Sequence, residues 1–198
     1  MAYSAVVVLC LVMAFFILQS LHVPLPFSDH YADENTGVAI DSLNGVEVYY
    51  NGDIDHVAGI RITGDGYEIG KEWQCVEFVK RYYYEYFHHK MPDPNGNAKD
   101  IFDHQLPDAS YNEKRGLVQY ADPSLKKPAV NDIIVFDGHL GNKYGHVAII
   151  SKVTDHTIEI VQQNAGPDAP SREILTLIRE NGRWHVQEKH ILGWLRIE

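Results

Sequence analysis

The chain reads as an α+β domain preceded by a hydrophobic N-terminal segment. A single amphipathic helix stands early, β-rich runs fill the last third, and the two kinds of element do not alternate as they would around a parallel sheet. With 198 residues, 45% of them hydrophobic and 22% charged, the chain can bury one core of ordinary size, so one domain is expected.

Every residue from Ala5 to Leu18 is apolar, and Pro24 and Pro26 end any helix that continues past Gln19 and Ser20. Residues 1–23 are therefore expected to be a signal peptide or an uncleaved membrane anchor, and no pair of small residues marks a cleavage site that would decide between them. The first basic residue is Arg61, while Asp29, Asp33 and Glu34 follow the apolar run. That balance favours a globular part outside the cytoplasm, anchored or secreted. Residues 24–43 are polar and aperiodic and read as a spacer, so the domain is expected to span 44–198.

Within the domain, Val46 to Tyr50 followed by Asn51-Gly52 predicts a strand and a tight turn, and Gly64 to Gly70 a loop. Cys75, Phe78, Val79, Tyr82 and Tyr86 recur at spacings of three and four, which predicts a helix over about 73–87 with Cys75 in its first turn. Residues 91–99 are rich in turn formers, and the stretch to Pro128 is mixed, with short helices expected at most. Strands are then expected over 132–136, 146–153, 157–164, 174–179, 183–186 and 191–197, with Asn181-Gly182 as a hairpin turn. The helix can pack its apolar face on this antiparallel sheet.

A net charge of −10 opposes nucleic-acid and anionic-lipid partners, because the field repels phosphates, and suits a neutral or cationic substrate. Of two cysteines, Cys10 lies in the apolar segment, which leaves Cys75 as the one thiol of the domain. A lone cysteine is ordinarily a small buried hydrophobe. The first turn of a helix, however, offers unpaired N–H groups and a partial positive charge that favour a thiolate nucleophile.

Strand parity supplies a base. His146, Ala148 and Ile150 share one face, as do Ile158, Ile160, Gln162 and Asn164 on the next strand. A symmetric turn near Thr154 to His156 sets His146 opposite Gln162 or Asn164, with the other as a diagonal neighbour. An amide carbonyl there can fix the imidazole tautomer and leave the second ring nitrogen for the thiol. Gln74 is a candidate to hold an oxyanion with the backbone N–H of Cys75, or a polar helix cap. The remaining histidines lack metal-ligand spacing, so no metal site is expected.

Trp73-Gln74-Cys75-Val76-Glu77-Phe78, Asp132 to Phe136 and Gly145-His146-Val147-Ala148-Ile149-Ile150 resemble the motifs of the CHAP amidase family. Within it they resemble the amidase half of bifunctional glutathionylspermidine synthetase/amidase, and Gly45 to Tyr49 and Ile191 to Trp194 extend the similarity over 44–198. The resemblance implies a papain-like or NlpC/P60-like cysteine hydrolase fold and thiol-dependent amide cleavage without a cofactor. Cys75 matches the family nucleophile, His146 the base, and Asn164 a polar residue often beside them. At Gln162 the family usually places a Glu that orients the histidine, and Gln keeps the hydrogen bond without the charge. Three functions fit: hydrolysis of a glutathionyl-polyamine amide, exported cleavage of peptidoglycan peptides, and a catalytically weak binding module at a membrane.

Overall fold

A computed structural model describes residues 34–166 and 168–198. The apolar run from Ala5 to Leu18, and with it the expected signal peptide or anchor, lies outside the described residues. Among those residues no helix is long and apolar enough to cross a membrane.

Strands β1 (Ala39–Leu43) and β2 (Val46–Tyr49) form a hairpin whose turn, Asn44-Gly45, has positive φ at both positions. β1 occupies the end of the stretch read as spacer. Of its five residues only Leu43 is buried, so the alternation that marks a half-buried strand is missing from its sequence. Strands β3 (Gly59–Ile62) and β4 (Glu68–Glu72) form a second hairpin, whose connection holds Gly64 and Gly66 of the expected loop while Gly70 lies within β4. Helix α1 (Cys75–Phe87) begins two residues later than expected, because Gln74 has extended backbone. It ends where His88 turns left-handed and donates its N–H to the Tyr83 carbonyl.

The stretch before Pro128 holds a 3-10 turn at Lys99–Ile101 and strands β5 (Ser110–Asn112) and β6 (Leu117–Ala121), not short helices alone. β6 escapes detection because one of its inward residues is polar. Gln119 is buried and satisfied by the N–H and C=O of Asp103 and by Asn112. The remaining strands follow the expected pattern: β7 (Ile133–Phe136), β8 (His146–Val153), β9 (Thr157–Val161), β10 (Arg172–Glu180), β11 (Arg183–Val186) and β12 (Ile191–Arg196). Asn181 and Gly182, with φ of 51° and 81°, make the β10–β11 turn, as their positive-φ tolerance predicts.

Strands β5 to β12 form one antiparallel sheet in the order β11-β10-β9-β8-β7-β12-β6-β5. Its two ends meet: Ser124, just beyond β6, and Trp184 on β11 exchange backbone hydrogen bonds of 3.0 and 2.7 Å. The curled sheet encloses Ile134, Ala148, Ile150, Ile158, Ile160, Leu177 and Trp194, all fully buried. The alternate residues Ile133, Val135, Val147, Ile149 and Val161 face the other way and pack with Phe78, Val79, Tyr82 and Tyr83 of α1. Burial on both faces explains why β7 and β8 read as unbroken apolar runs. It also sets the start of β8 against the start of α1.

Candidate active site

Cys75 opens α1, where the backbone N–H groups of Val147 on β8, of Val76 and of Cys75 itself act to favour its thiolate. The Val147 contact sets the sulfur beside His146, the first residue of β8. Enclosure by protein outweighs those donors, and burial pushes the Cys75 thiol up to about 11. Burial likewise lowers His146 to about 4, against the Gln162 hydrogen bond, which raises it. Desolvation thus acts against charge on both partners.

Gln162 is the side chain brought behind the ring. His146 Nε2 donates to its Oε1 at 3.0 Å, which leaves Nδ1 without a hydrogen bond from the described residues. The Gln162 amide nitrogen is held by the Pro170 carbonyl at 3.1 Å and by Glu173 Oε2 at 3.4 Å. Continuing the pairing of Ile149 with Val161 puts Asn164 across from His146 and Gln162 on the diagonal. Asn164 nevertheless turns away. Its φ is 55°, and its amide donates to the Ile54 carbonyl and to Gln74 Oε1, both at 2.9 Å.

Gln74 has neither of its expected placements. Its amide makes no cap bond to α1, and both amide hydrogens go to the loop between β2 and β3, to His56 O at 2.7 Å and Ile54 O at 3.3 Å. It is a strut that ties that loop to Asn164 and the start of α1, with no side-chain N–H left for an oxyanion. The donors already gathered at the sulfur are backbone groups.

Beneath the pair lies a buried truss that sequence reasoning missed. Gln163 donates to the Gln74 carbonyl at 3.1 Å and to Glu77 Oε2 at 3.0 Å, and accepts the Tyr49 N–H at 2.8 Å. Glu77 in turn pairs with Arg81 at 2.6 Å, and neither is exposed by more than 1%. The signal was present in two forms. Alternation turns Gln163 to the opposite face from Gln162, and Glu77 and Arg81 stand four apart on the helix. Such a pair ordinarily marks a solvated face, and here it is core.

Gly145, with φ of 76°, sets the entry of the chain into β8. A Cβ there would run into the Phe136 carbonyl oxygen and into Lys99, so only glycine lets His146 start the strand where it does.

A thiol at a helix start, an imidazole on the adjoining strand and an amide fixing that imidazole define the class of papain-like cysteine hydrolases. The model of the CHAP domain matches residues 62–164, a span that holds Cys75, His146, Gln162 and Asn164. The chain belongs to the CHAP domain family and is a cysteine hydrolase of the amidase type. It is 28% identical to a glutathionylspermidine synthase of Crithidia fasciculata over 88% of this chain and 29% of that protein. It is 28% identical to a trypanothione synthetase of the same organism over 58% of this chain and 18% of that protein. A bifunctional glutathionylspermidine synthetase/amidase of Escherichia coli is 27% identical over 64% of this chain and 22% of its own length. The chain thus spans less than a third of these relatives.

Proposed function

We propose that the chain hydrolyses the amide bond of a glutathionyl-polyamine conjugate, with Cys75 as nucleophile, His146 as base and acid, and Gln162 as the residue that orients the imidazole. The observation that carries the substrate is the similarity, over 88% of this chain, to a protein named glutathionylspermidine synthase. Charge agrees with it. The chain carries a net −10, and Asp53 and Asp55 sit on the loop that Gln74 and Asn164 hold beside the thiol, which favours an amine-bearing substrate.

The chemistry follows from the pair. Sγ attacks the amide carbonyl carbon as the thiol proton passes to Nδ1 of His146, so charge arises only in the step that uses it. Backbone N–H groups at the start of α1 stabilise the oxyanion. The C–N bond then breaks, the Nδ1 proton leaves with the amine, and a thioester remains on Cys75. Water, deprotonated by His146, hydrolyses that thioester, and the proton returns to sulfur. Gln162 accepts from Nε2–H throughout and keeps Nδ1 the basic nitrogen.

A second reading, an exported peptidase acting on peptidoglycan stem peptides, is favoured by the apolar run from Ala5 to Leu18, which would carry the domain to or across a membrane. The test is to incubate the purified domain separately with glutathionylspermidine and with peptidoglycan fragments and to follow released amines by mass spectrometry. Free spermidine from the first, absent with Cys75→Ala, is the expected result. Release only from the fragments establishes the second reading, and release from neither refutes both.

A further inference from the structure

Gln162 stands where the family resemblance leads one to expect a carboxylate, and a carboxylate is nevertheless present one strand further out. β10 pairs with β9 so that Glu173 lies opposite Ile160, and the Gln162 N–H continues the ladder to Ser171 O at 2.8 Å. Glu173 therefore shares a sheet face with Gln162 and reaches its amide nitrogen, which donates to Glu173 Oε2 at 3.4 Å and to Pro170 O at 3.1 Å. We propose that Glu173 is a positioning residue for hydrolysis, holding the Gln162 amide in the one orientation that makes His146 a base toward Cys75.

The reasoning is a donor and acceptor count. An amide side chain has one end that accepts and one that donates, and its orientation is set by its neighbours. Around Gln162 two neighbours, the Pro170 carbonyl and the Glu173 carboxylate, can only accept when Glu173 is ionised. Both are satisfied only if Nε2 faces them. Oε1 then faces His146, the ring carries its proton on Nε2, and the Nδ1 lone pair is free. A flipped amide would set Oε1 against two acceptors and Nε2 against the ring. The imidazole would then hold its proton on Nδ1 and could not take one from the thiol. A Glu at 162 would need no such partner, because both its oxygens accept. This role rests on the assignment of Cys75 and His146 as the reacting pair but not on any particular substrate.

The test uses the domain as it stands, with two substrate-independent readouts: the rate of Cys75 carbamidomethylation by iodoacetamide at pH 7 and the 15N shifts of the His146 ring. Because Glu173 is exposed, its variants are expected to fold. Glu173→Gln, which can still present a carbonyl to Gln162, should keep the native rate within about twofold and the Nε2–H tautomer. Glu173→Ala should slow alkylation three- to tenfold. Glu173→Lys, which offers only donors and so favours the flipped amide, should slow it further and move the ring proton to Nδ1. In a Gln162→Glu background, Glu173→Ala should change the rate by less than about twofold, since no amide remains to orient. Native rate and unchanged ring shifts in Glu173→Lys would overturn the proposal. So would an equal loss from Glu173→Ala in both backgrounds, which would mark a structural role alone. A thiol that reacts no faster than in His146→Ala would instead remove the reacting pair itself.

Discussion

At the level of single residues, burial acts against charge on both members of the candidate pair. His146 is held at about 4 instead of its ordinary 6.5, and Cys75 at about 11 instead of 9.0, burial being the first cause of each. The unfolded chain protonates the histidine below 6.5 while the folded one resists to about 4. Stability present above 6.5 is thus lost progressively as pH falls from 6.5 to 4. For the thiol the sign is reversed: the folded state binds its proton more tightly, so stability present below 9 is lost as pH rises towards 11. His146→Gln should remove the histidine's share of the acid loss. The check is the pH dependence of the thermal midpoint, where the native and variant curves should converge between pH 6.5 and 4. Parallel curves would mean that His146 titrates alike in both states. Cys75 and His146 could be picked out as candidates from sequence because helix start and strand parity are local properties. The direction in which burial shifts them could not, because it depends on what covers them.

Among the elements, α1 carries the candidate nucleophile Cys75 and an ion pair that sequence alone misplaces. Phe78, Val79 and Tyr82 recur at helical spacing and do face the sheet, so the helix was legible. Glu77 and Arg81 have the spacing of a surface pair, yet both are buried, because Gln163 and the Glu47 carbonyl satisfy them from strands remote in the chain. Arg81→Ala should leave the buried Glu77 carboxylate with only Gln163 and, at 3.5 Å, Arg61 as partners, and cost about 3 kcal/mol of unfolding free energy, more than a surface pair. Urea denaturation measures it, and a loss below about 1 kcal/mol would mean that Arg61 and Gln163 satisfy Glu77 by themselves. The same elements explain what the sequence concealed. β6 hides behind a buried Gln119, β1 buries only one of its five residues, and β3 is four residues long with Ile60 and Ile62 exposed, so its apolar alternation marks no core face.

For the molecule as a whole, the fold class follows from composition and order of elements, but the closure of the sheet does not. The bonds between Ser124 and Trp184 join positions 60 apart, and no local pattern announces them. Closure encloses the core around Trp194 and Ile150, and the helix covers the opposite face. Among the described residues, both cores are assembled from residues 43–197. Deleting residues 1–33 should therefore leave a soluble domain with a single cooperative unfolding transition and unchanged Cys75 reactivity. Circular dichroism with thermal melting checks this, and a truncated chain that aggregates or melts without cooperativity would contradict it. The deletion also gives the protein suited to the remaining measurements.

The most direct test of a Cys75–His146 pair is the pH dependence of Cys75 carboxymethylation in the native protein and in His146→Ala, from pH 4.5 to 10.5. A thiol and an imidazole that share one proton react as a unit, whichever of them holds it, between their lower and upper apparent values. The native rate is expected to stay nearly level across that range. His146→Ala, which must wait for the thiolate of a buried thiol, is expected to react slowly at neutral pH and to rise about tenfold per pH unit. Superimposable profiles, both rising steeply with pH, would show that His146 does not take the thiol proton and that Cys75 is an ordinary buried cysteine.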